Sequence, residues 1–180
     1  MSEMQQLSPF ELLARIAEAG AASALDLPDE QALVDDWRGI GFRLAGQAFV
    51  VPISEVDEVL TSPAYTKVPG VKNWLSGIAN IRGRLLVVVD LGVMLGKQPC
   101  ANSAKSRVLA IKKDDLYSGV IVDEVLGLQT FSRQEQSAIR TVDSQTDAFV
   151  TGGFNKEGQC WAVFSLHQLA EAAEFLSVTA

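Results

Sequence analysis

Asp90 is the residue that most invites a catalytic interpretation. The stretch VVVDLG runs from hydrophobic residues into Asp90 and then Gly92, as a strand of an aspartic protease does. Such an enzyme needs two carboxylates that share a proton. The internal repeat described below matches Asp90 with Ser165, and Leu91 stands where a protease has Ser or Thr. We therefore expect Asp90 to cap the helix that follows it.

The other reactive side chains do not form a catalytic or metal-binding set. His167 could serve as a general base, but no nucleophile with a matched third group can be named beside it. The two cysteines, Cys100 and Cys160, lack a CxxC spacing, and one histidine cannot build a metal site. Gly39 and Gly41 form a Gly-x-Gly without the third glycine of a phosphate-binding loop. The sequence predicts a protein without catalytic residues, metal or cofactor.

Arg82 is the polar landmark that remains. The stretch NIRGR places Arg82 next to a glycine, in a tight connection between two apolar segments that are expected to be strands. Such a connection holds a guanidinium in a fixed direction, and Glu58 is the acidic group that we expect to pair with it. Two interpretations stay open at this point, a binding residue and a residue that only flanks a hairpin turn.

An internal repeat determines how these residues are positioned. The string VDEVL occurs at 56–60 and again at 122–126. The segment 77–94 also aligns with 152–169, so that Gly77 meets Gly152 and Asn80 meets Asn155. Self-similarity of this kind indicates two copies of one structural unit. Each copy is too small to supply a large core, so we expect the copies to pack against each other.

Short β segments dominate the chain from residue 39 onward. Runs rich in Val, Ile and Phe are separated by Gly, Asn or Asp, which is typical of small barrels or sandwiches. GFRLAGQAFVVPI predicts a hairpin around Ala45 and Gly46. We expect a first barrel over about 39–96, a polar linker over 97–106, a second barrel over about 107–166 and a C-terminal helix over 166–176, together forming a domain over 37–180.

The first 36 residues predict a helical extension. Ser8 is a suitable N-cap, Pro9 fits the first helical position, and Gly20 is a stop signal. The apolar residues of this helix follow helical spacing, so we expect one face to be covered by the protein itself or by a partner. PDEQALVDDW predicts a second short helix that ends at Trp37.

The bulk composition restricts the partners and the compartment. The net charge of −7 argues against nucleic acid or an anionic membrane as the main partner. The most apolar run, at 85–95, is interrupted by Asp90 and is shorter than the roughly 20 residues of a membrane helix. We expect a reduced, cytoplasmic protein that does not insert into the membrane.

The stretch FRLAGQAFVVPISEVDEVL, followed by VPGVKNWLSGIANIRGRLLVVVDLGVMLG, resembles the CheW family of chemotaxis proteins. The resemblance continues through SGVIVDEVLGL to VFSLHQL and covers about residues 39–176. The helical extension, DDWRGIGFRL and VPGVKNWLSGIANIRGRLL are similar to the members that serve type IV pilus twitching motility. Val87 and Ser165 depart from the family, which often has Pro and Asp there.

The resemblance implies a mainly β fold of two SH3-like five-stranded barrels packed on each other. It implies a noncatalytic adaptor that couples the cytoplasmic domain of a methyl-accepting chemoreceptor to a CheA-type histidine kinase, at the inner face of the membrane. Carried over by position, the receptor-side residues are Arg82, Glu58, Val56 and Gly77. The alternative, from another class, is a small-molecule-binding regulatory β-barrel, which would need converging polar groups in a concave apolar site.

Overall fold

Two β-sheets make up most of the computed structural model, which describes residues 36–100, 104–114, 116–138 and 143–179. The strands are β1 (Trp37–Leu44), β2 (Gln47–Pro52), β3 (Glu58–Thr61), β4 (Leu75–Ile81), β5 (Arg84–Asp90), β6 (Arg107–Lys113), β7 (Leu116–Val122), β8 (Glu124–Phe131), β9 (Gln136–Ser137), β10 (Val150–Lys156) and β11 (Gln159–Phe164). The helices are α1 (Leu91–Met94), α2 (Ser144–Asp147), α3 (Leu166–Glu171) and α4 (Ala173–Leu176), and 3₁₀ turns cover Ile53–Glu55 and Arg133–Glu135.

Each sheet closes into a barrel. Sheet A has the order β8-β1-β2-β11-β10-β9, and sheet B has the order β3-β6-β7-β5-β4. In sheet A the chain passes from β8 through a 3₁₀ turn to β9, which pairs with the far edge strand β10. In sheet B the chain passes from β3 to Thr66, which bridges Ile78 in the far edge strand β4. The expected pair of SH3-like barrels is confirmed, and we call them barrel A and barrel B.

The two copies of the repeat exchange their first hairpins. Barrel A joins β1 and β2 to strands from the second half of the chain, because β1 pairs with β8 and β2 runs parallel to β11. Barrel B makes the reciprocal arrangement, in which β6 pairs with β3 and β7 runs parallel to β5. Each barrel therefore takes its first hairpin from one copy and its remaining strands from the other.

The expected division into a barrel over 39–96 and a barrel over 107–166 does not match this pairing. The repeat shows which segments of the sequence are equivalent. It does not show whether the first hairpin of a copy pairs with strands of the same copy or of the other copy. The equivalence itself holds, since each VDEVL string bends at its aspartate and then enters a strand. The amide of Asp57 donates to Ala110 O at 2.9 Å, and the amide of Asp123 donates to Arg43 O at 3.1 Å.

Two hydrophobic clusters hold the barrels. The larger cluster is shared by both sheets and includes a group of aromatic rings from sheet A, Phe42, Phe49 and Phe164, whose centroids lie 5.4 to 6.1 Å apart. The smaller cluster belongs to barrel A and contains Phe131, Phe154 and Trp161 among its buried residues. Sheet strands are therefore covered on both faces at their centres, which explains continuous apolar runs such as that of β2.

Two expected helix positions are wrong. Trp37, expected at the end of a helix, begins β1, where its ring packs 5.0 Å from Phe154 and 5.9 Å from Phe131. The C-terminal helix over 166–176 is divided at Ala172, which is extended with φ −62° and ψ 133°. This break redirects the chain so that Phe175 stacks on Trp74 at 6.1 Å. The predicted helices before residue 36 lie outside the described residues.

Candidate functional site

Arg82 lies in the two-residue turn between β4 and β5. Both central residues have positive φ, 52° for Arg82 and 83° for Gly83, which is the pattern of a type I′ hairpin turn. The amide of Gly83 donates to Asn80 Oδ1 at 2.8 Å and so steadies the turn. A left-handed backbone is unusual for arginine, and the turn fixes where this side chain leaves the barrel.

The structure brings Arg82 and Glu58 together, as the sequence predicted. The Arg82 guanidinium donates to Glu58 Oε1 at 2.6 Å. Glu58 begins β3 and Arg82 follows β4, so the pair joins the two edge strands of sheet B. The Arg82 side chain is 79% exposed, and an exposed pair of this kind contributes only about 0–1 kcal/mol to folding. Glu58 uses one guanidinium nitrogen, and arginine has five N–H donors.

Val56 and Gly77 have packing roles. Val56 follows the 3₁₀ turn, is half-buried and packs against the shared core. Gly77 is buried in β4 with φ +154°, at a register shift opposite β5. A Cβ atom there would lie 2.3 Å from Thr66 O, so glycine is what allows the closing segment to approach β4. Both residues shape barrel B, whereas Arg82 and Glu58 form its charged surface.

Barrel A carries different charges at the equivalent positions. Its matching turn consists of Glu157 and Gly158, with φ 53° and 77°, so a carboxylate replaces the guanidinium. Glu124, which matches Glu58, lies 3.3 Å from Lys105 Nζ and 3.8 Å from Arg43 Nε. The backbone geometry of the turn is thus repeated while its chemistry is not. Of the two barrels, only barrel B carries an arginine in this turn.

Asp90 caps α1, as predicted. Its Oδ1 accepts from the amide of Val93 at 3.1 Å, and both carboxylate oxygens accept from the amide of Cys100 at 3.1 and 3.2 Å. The Cys100 thiol donates to Ile121 O at 3.0 Å. Burial, together with the neighbouring Asp90 carboxylate, raises the pKa of the Cys100 thiol far above its usual value. These groups anchor the segment predicted as a linker and leave the thiol unreactive.

Glu55 is a residue that the sequence analysis missed. Its carboxylate accepts from the Ser165 hydroxyl at 3.1 and 3.2 Å and from the His167 amide at 3.0 Å. A carboxylate therefore accepts a hydrogen bond from the first turn of α3, as Asp90 does at α1. The carboxylate at α3 comes from a distant segment of the chain. The family often has Asp at the position of Ser165, so the sequence did indicate that α3 lacks a carboxylate at its own N-cap. Nothing in the sequence pointed to Glu55 as its replacement, because the contact spans the two copies.

The remaining candidates add no reactive centre. Over the described ranges, no group of three or more His, Cys, Asp and Glu side chains is placed to hold a metal ion. His167 lies at the start of α3, where its backbone amide makes the bond to Glu55. Within the same ranges no helix is long and apolar enough to cross a membrane.

The chain belongs to the CheW-like domain family, whose pattern matches residues 38–174 and so includes both barrels and the Arg82 turn. Protein PilI of Pseudomonas aeruginosa is 43% identical over 183 residues, which cover 99% of each chain. The chemotaxis protein CheW of Bacillus subtilis is 29% identical over 62% of this chain and 72% of its own.

A solved structure supports the same assignment. The scaffolding protein TtCheW of Thermoanaerobacter tengcongensis superposes with a TM-score of 0.66 at 26% identity. The match covers 77% of this chain and 94% of that one. The fold expected from the resemblance is therefore found both in the strand pairing and in an independent structure.

Proposed function

We propose that this chain is a noncatalytic adaptor that couples a methyl-accepting chemoreceptor to a CheA-type histidine kinase. The observation that carries the proposal is the CheW-like match over residues 38–174, which contains both barrels and the Arg82 turn. An adaptor needs surfaces of different character for different partners. Barrel A and barrel B provide them, since the same turn carries Glu157 in one and Arg82 in the other.

We further propose that the output is twitching motility driven by type IV pili. Support comes from the likeness to Protein PilI, which extends over 99% of both chains and so includes the N-terminal 35 residues. In this proposal the adaptor works in the cytoplasm, at the inner face of the membrane, because its receptor is anchored there.

The receptor side is assigned to Arg82 and Glu58, with Val56 and Gly77 shaping barrel B beneath them. A guanidinium stays charged at any working pH and favours a fixed carboxylate or carbonyl partner. Glu58 holds Arg82 in place at 2.6 Å, and the 79% exposure of Arg82 leaves its side chain accessible to a receptor. Glu58 therefore holds Arg82 in a fixed position as a cation on the surface.

The alternative of a small-molecule-binding barrel has less support. Ligand-binding barrels enclose a cavity, whereas the inside of barrel A is filled by packed aromatic rings. Phe131 and Phe154 lie 4.5 Å apart, and Trp161 lies 5.7 Å from Phe131. These three side chains are each at most 6% exposed, as expected for a small barrel filled by its own core.

The test is Arg82→Glu, measured by titration with separate receptor and kinase fragments beside a thermal melt. We expect receptor binding to weaken by about 2–5 kcal/mol, because like charges then meet at the centre of the contact. The melt should change by no more than about 1 kcal/mol in unfolding free energy. Arg38→Glu, an equal charge change on exposed residue 38 of β1, is the matched control and should leave receptor binding unchanged.

A charge swap separates recognition from structure. Arg82→Glu combined with Glu58→Arg restores an ion pair across the barrel edge but reverses the sign of the exposed charge. We expect a normal melt and weak receptor binding from this double variant. Normal receptor binding by Arg82→Glu would remove Arg82 from the site, and a collapsed melt would make it a structural residue.

A further inference from the structure

The two copies of the repeat differ strongly in charge. The segment 59–89 contains no Asp or Glu, although the chain has 22 of them, and it carries four basic residues, Lys67, Lys72, Arg82 and Arg84. The equivalent segment of the second copy, 134–164, contains four acidic residues and two basic ones. A stretch of positive charge in a protein of net charge −7 creates a local field that attracts acidic groups.

A surface cavity lies at the loop that leads into β4. Its volume is about 330 Å³, and its lining includes Lys67, Lys72, Tyr65, Asn73 and Ser76. These side chains supply two cations and several hydrogen-bond donors to one open concavity. Lys72 Nζ lies 6.0 Å from the Trp74 ring, and Lys67 is exposed. Neither lysine takes part in the ion pairs found among the described residues.

The backbone around this cavity is held in place on both sides. Thr66 exchanges two hydrogen bonds of 2.9 Å with Ile78. On the other side, the amide of Lys72 donates to Val178 O at 3.0 Å, and Val71 bridges Thr179 near the C-terminus. The two lysines therefore stand on a loop that is fixed before any partner arrives, which lowers the entropy cost of binding.

Gly77, one of the proposed receptor-side residues, lies next to the wall of the cavity. The absent side chain of Gly77 leaves room for Thr66 O and for the ring of Tyr65, which would lie 2.3 and 2.9 Å from a Cβ atom. Tyr65 then contributes to the wall of the cavity. Gly77 lies in the edge strand β4 and Arg82 in the turn that follows this strand, so one edge of barrel B carries both features.

We propose that this cavity binds a side-chain carboxylate from an acidic segment of the receptor, with Lys67 and Lys72 as the groups that recognise it. The inference rests on the proposed adaptor function and adds a partner chemistry to it. Charge complementarity favours a protein carboxylate, since the net charge of −7 repels an extended polyanion such as nucleic acid. The acidic segment would lie along the loop and continue toward Arg82.

The first experiment titrates the full-length chain with the receptor's cytoplasmic fragment at low (about 50 mM) and high (about 500 mM) salt, which changes screening strongly. We expect Lys67→Glu combined with Lys72→Glu to weaken binding about tenfold or more at low salt, with little difference at high salt. Kinase-fragment binding should not change. Lys112→Glu, on the exposed face of β6, is the control and should bind the receptor as the unmodified chain does.

The second experiment identifies the carboxylate. A carbodiimide couples a carboxylate to a nearby lysine amine as an amide, and mass spectrometry of the crosslinked complex locates both residues. Amide links from Lys67 or Lys72 to receptor Asp or Glu support the proposal. Links from Lys112 alone would overturn it. If the double variant has a lowered melting temperature, the single variant Lys67→Glu is titrated in its place. Lys67 is exposed, so this change should not affect folding.

The outcomes distinguish this inference from the adaptor proposal. If the unmodified chain binds the receptor and the lysine variants bind it equally well, the carboxylate cavity is refuted while the adaptor function stands. If the unmodified chain binds no receptor fragment, both proposals fail together. Loss of receptor binding in the lysine variants, with kinase binding and the melt retained, supports both.

Discussion

Replacing Gly77 with alanine tests how barrel B closes. The new Cβ would lie 2.3 Å from Thr66 O and 2.9 Å from the ring of Tyr65, and Thr66 O belongs to the backbone. Overpacking of this kind costs about 1–3 kcal/mol. The φ of +154° adds backbone strain of about 1 kcal/mol or more for a residue with a Cβ. We therefore expect the unfolding free energy to fall by about 2–4 kcal/mol.

The repeat provides a matched control, Gly152→Ala. Gly152 occupies the equivalent position in β10, at the same kind of register shift, and no atom lies within 4 Å of its ideal Cβ position. This variant should change stability by no more than about 1 kcal/mol in either direction. Urea unfolding followed by circular dichroism measures both values, with the m-value checking that two-state behaviour is retained. Equal losses for the two variants would refute the close-approach argument.

The remaining predictions concern the thiols and one carboxylate. Cys160 is exposed and should react with a thiol reagent in the native state, whereas Cys100, whose pKa is raised by burial and by Asp90, should react only on unfolding; rapid labelling of two thiols would contradict this. Hydrogen bonds from Lys97 and Thr146 lower the pKa of Asp143 to about 2 from 3.8, so its contribution to stability is present above pH 3.8 and is lost as the pH falls towards about 2. Lys97→Met should raise that pKa in an NMR titration, and an unchanged value would show that the 2.9 Å pair is absent in solution.

The sequence determined the local elements better than their partners. Ala45 and Gly46 form the predicted hairpin turn, and Asp90 caps the predicted helix. The pairing of Arg82 with Glu58, named as the acidic group in the first VDEVL string, was also predicted. The receptor role of Arg82, Glu58, Val56 and Gly77 stays a prediction.

What the sequence missed depends on contacts between distant segments. The contact from Glu55 to Ser165 links the two copies, and no local pattern marks it. The break at Ala172 occurs in a stretch with good helix formers, where packing of Phe175 on Trp74 outweighs propensity. The hairpin exchange was missed for the same reason, since equivalent strands have similar sequences in either arrangement.

The exchange of hairpins has a consequence for synthesis of the chain on the ribosome. All five strands of barrel B lie between residues 58 and 122, so this barrel can close while the residues after 122 are still being made. Hairpin β1–β2 emerges first, yet its parallel partner β11 ends at residue 164. The apolar residues Phe42 and Phe49 of this hairpin therefore stay uncovered by β11 until almost the whole chain has been made. The earliest strands to be made are among the last to be completed, and this interval is when the nascent chain most needs protection from aggregation.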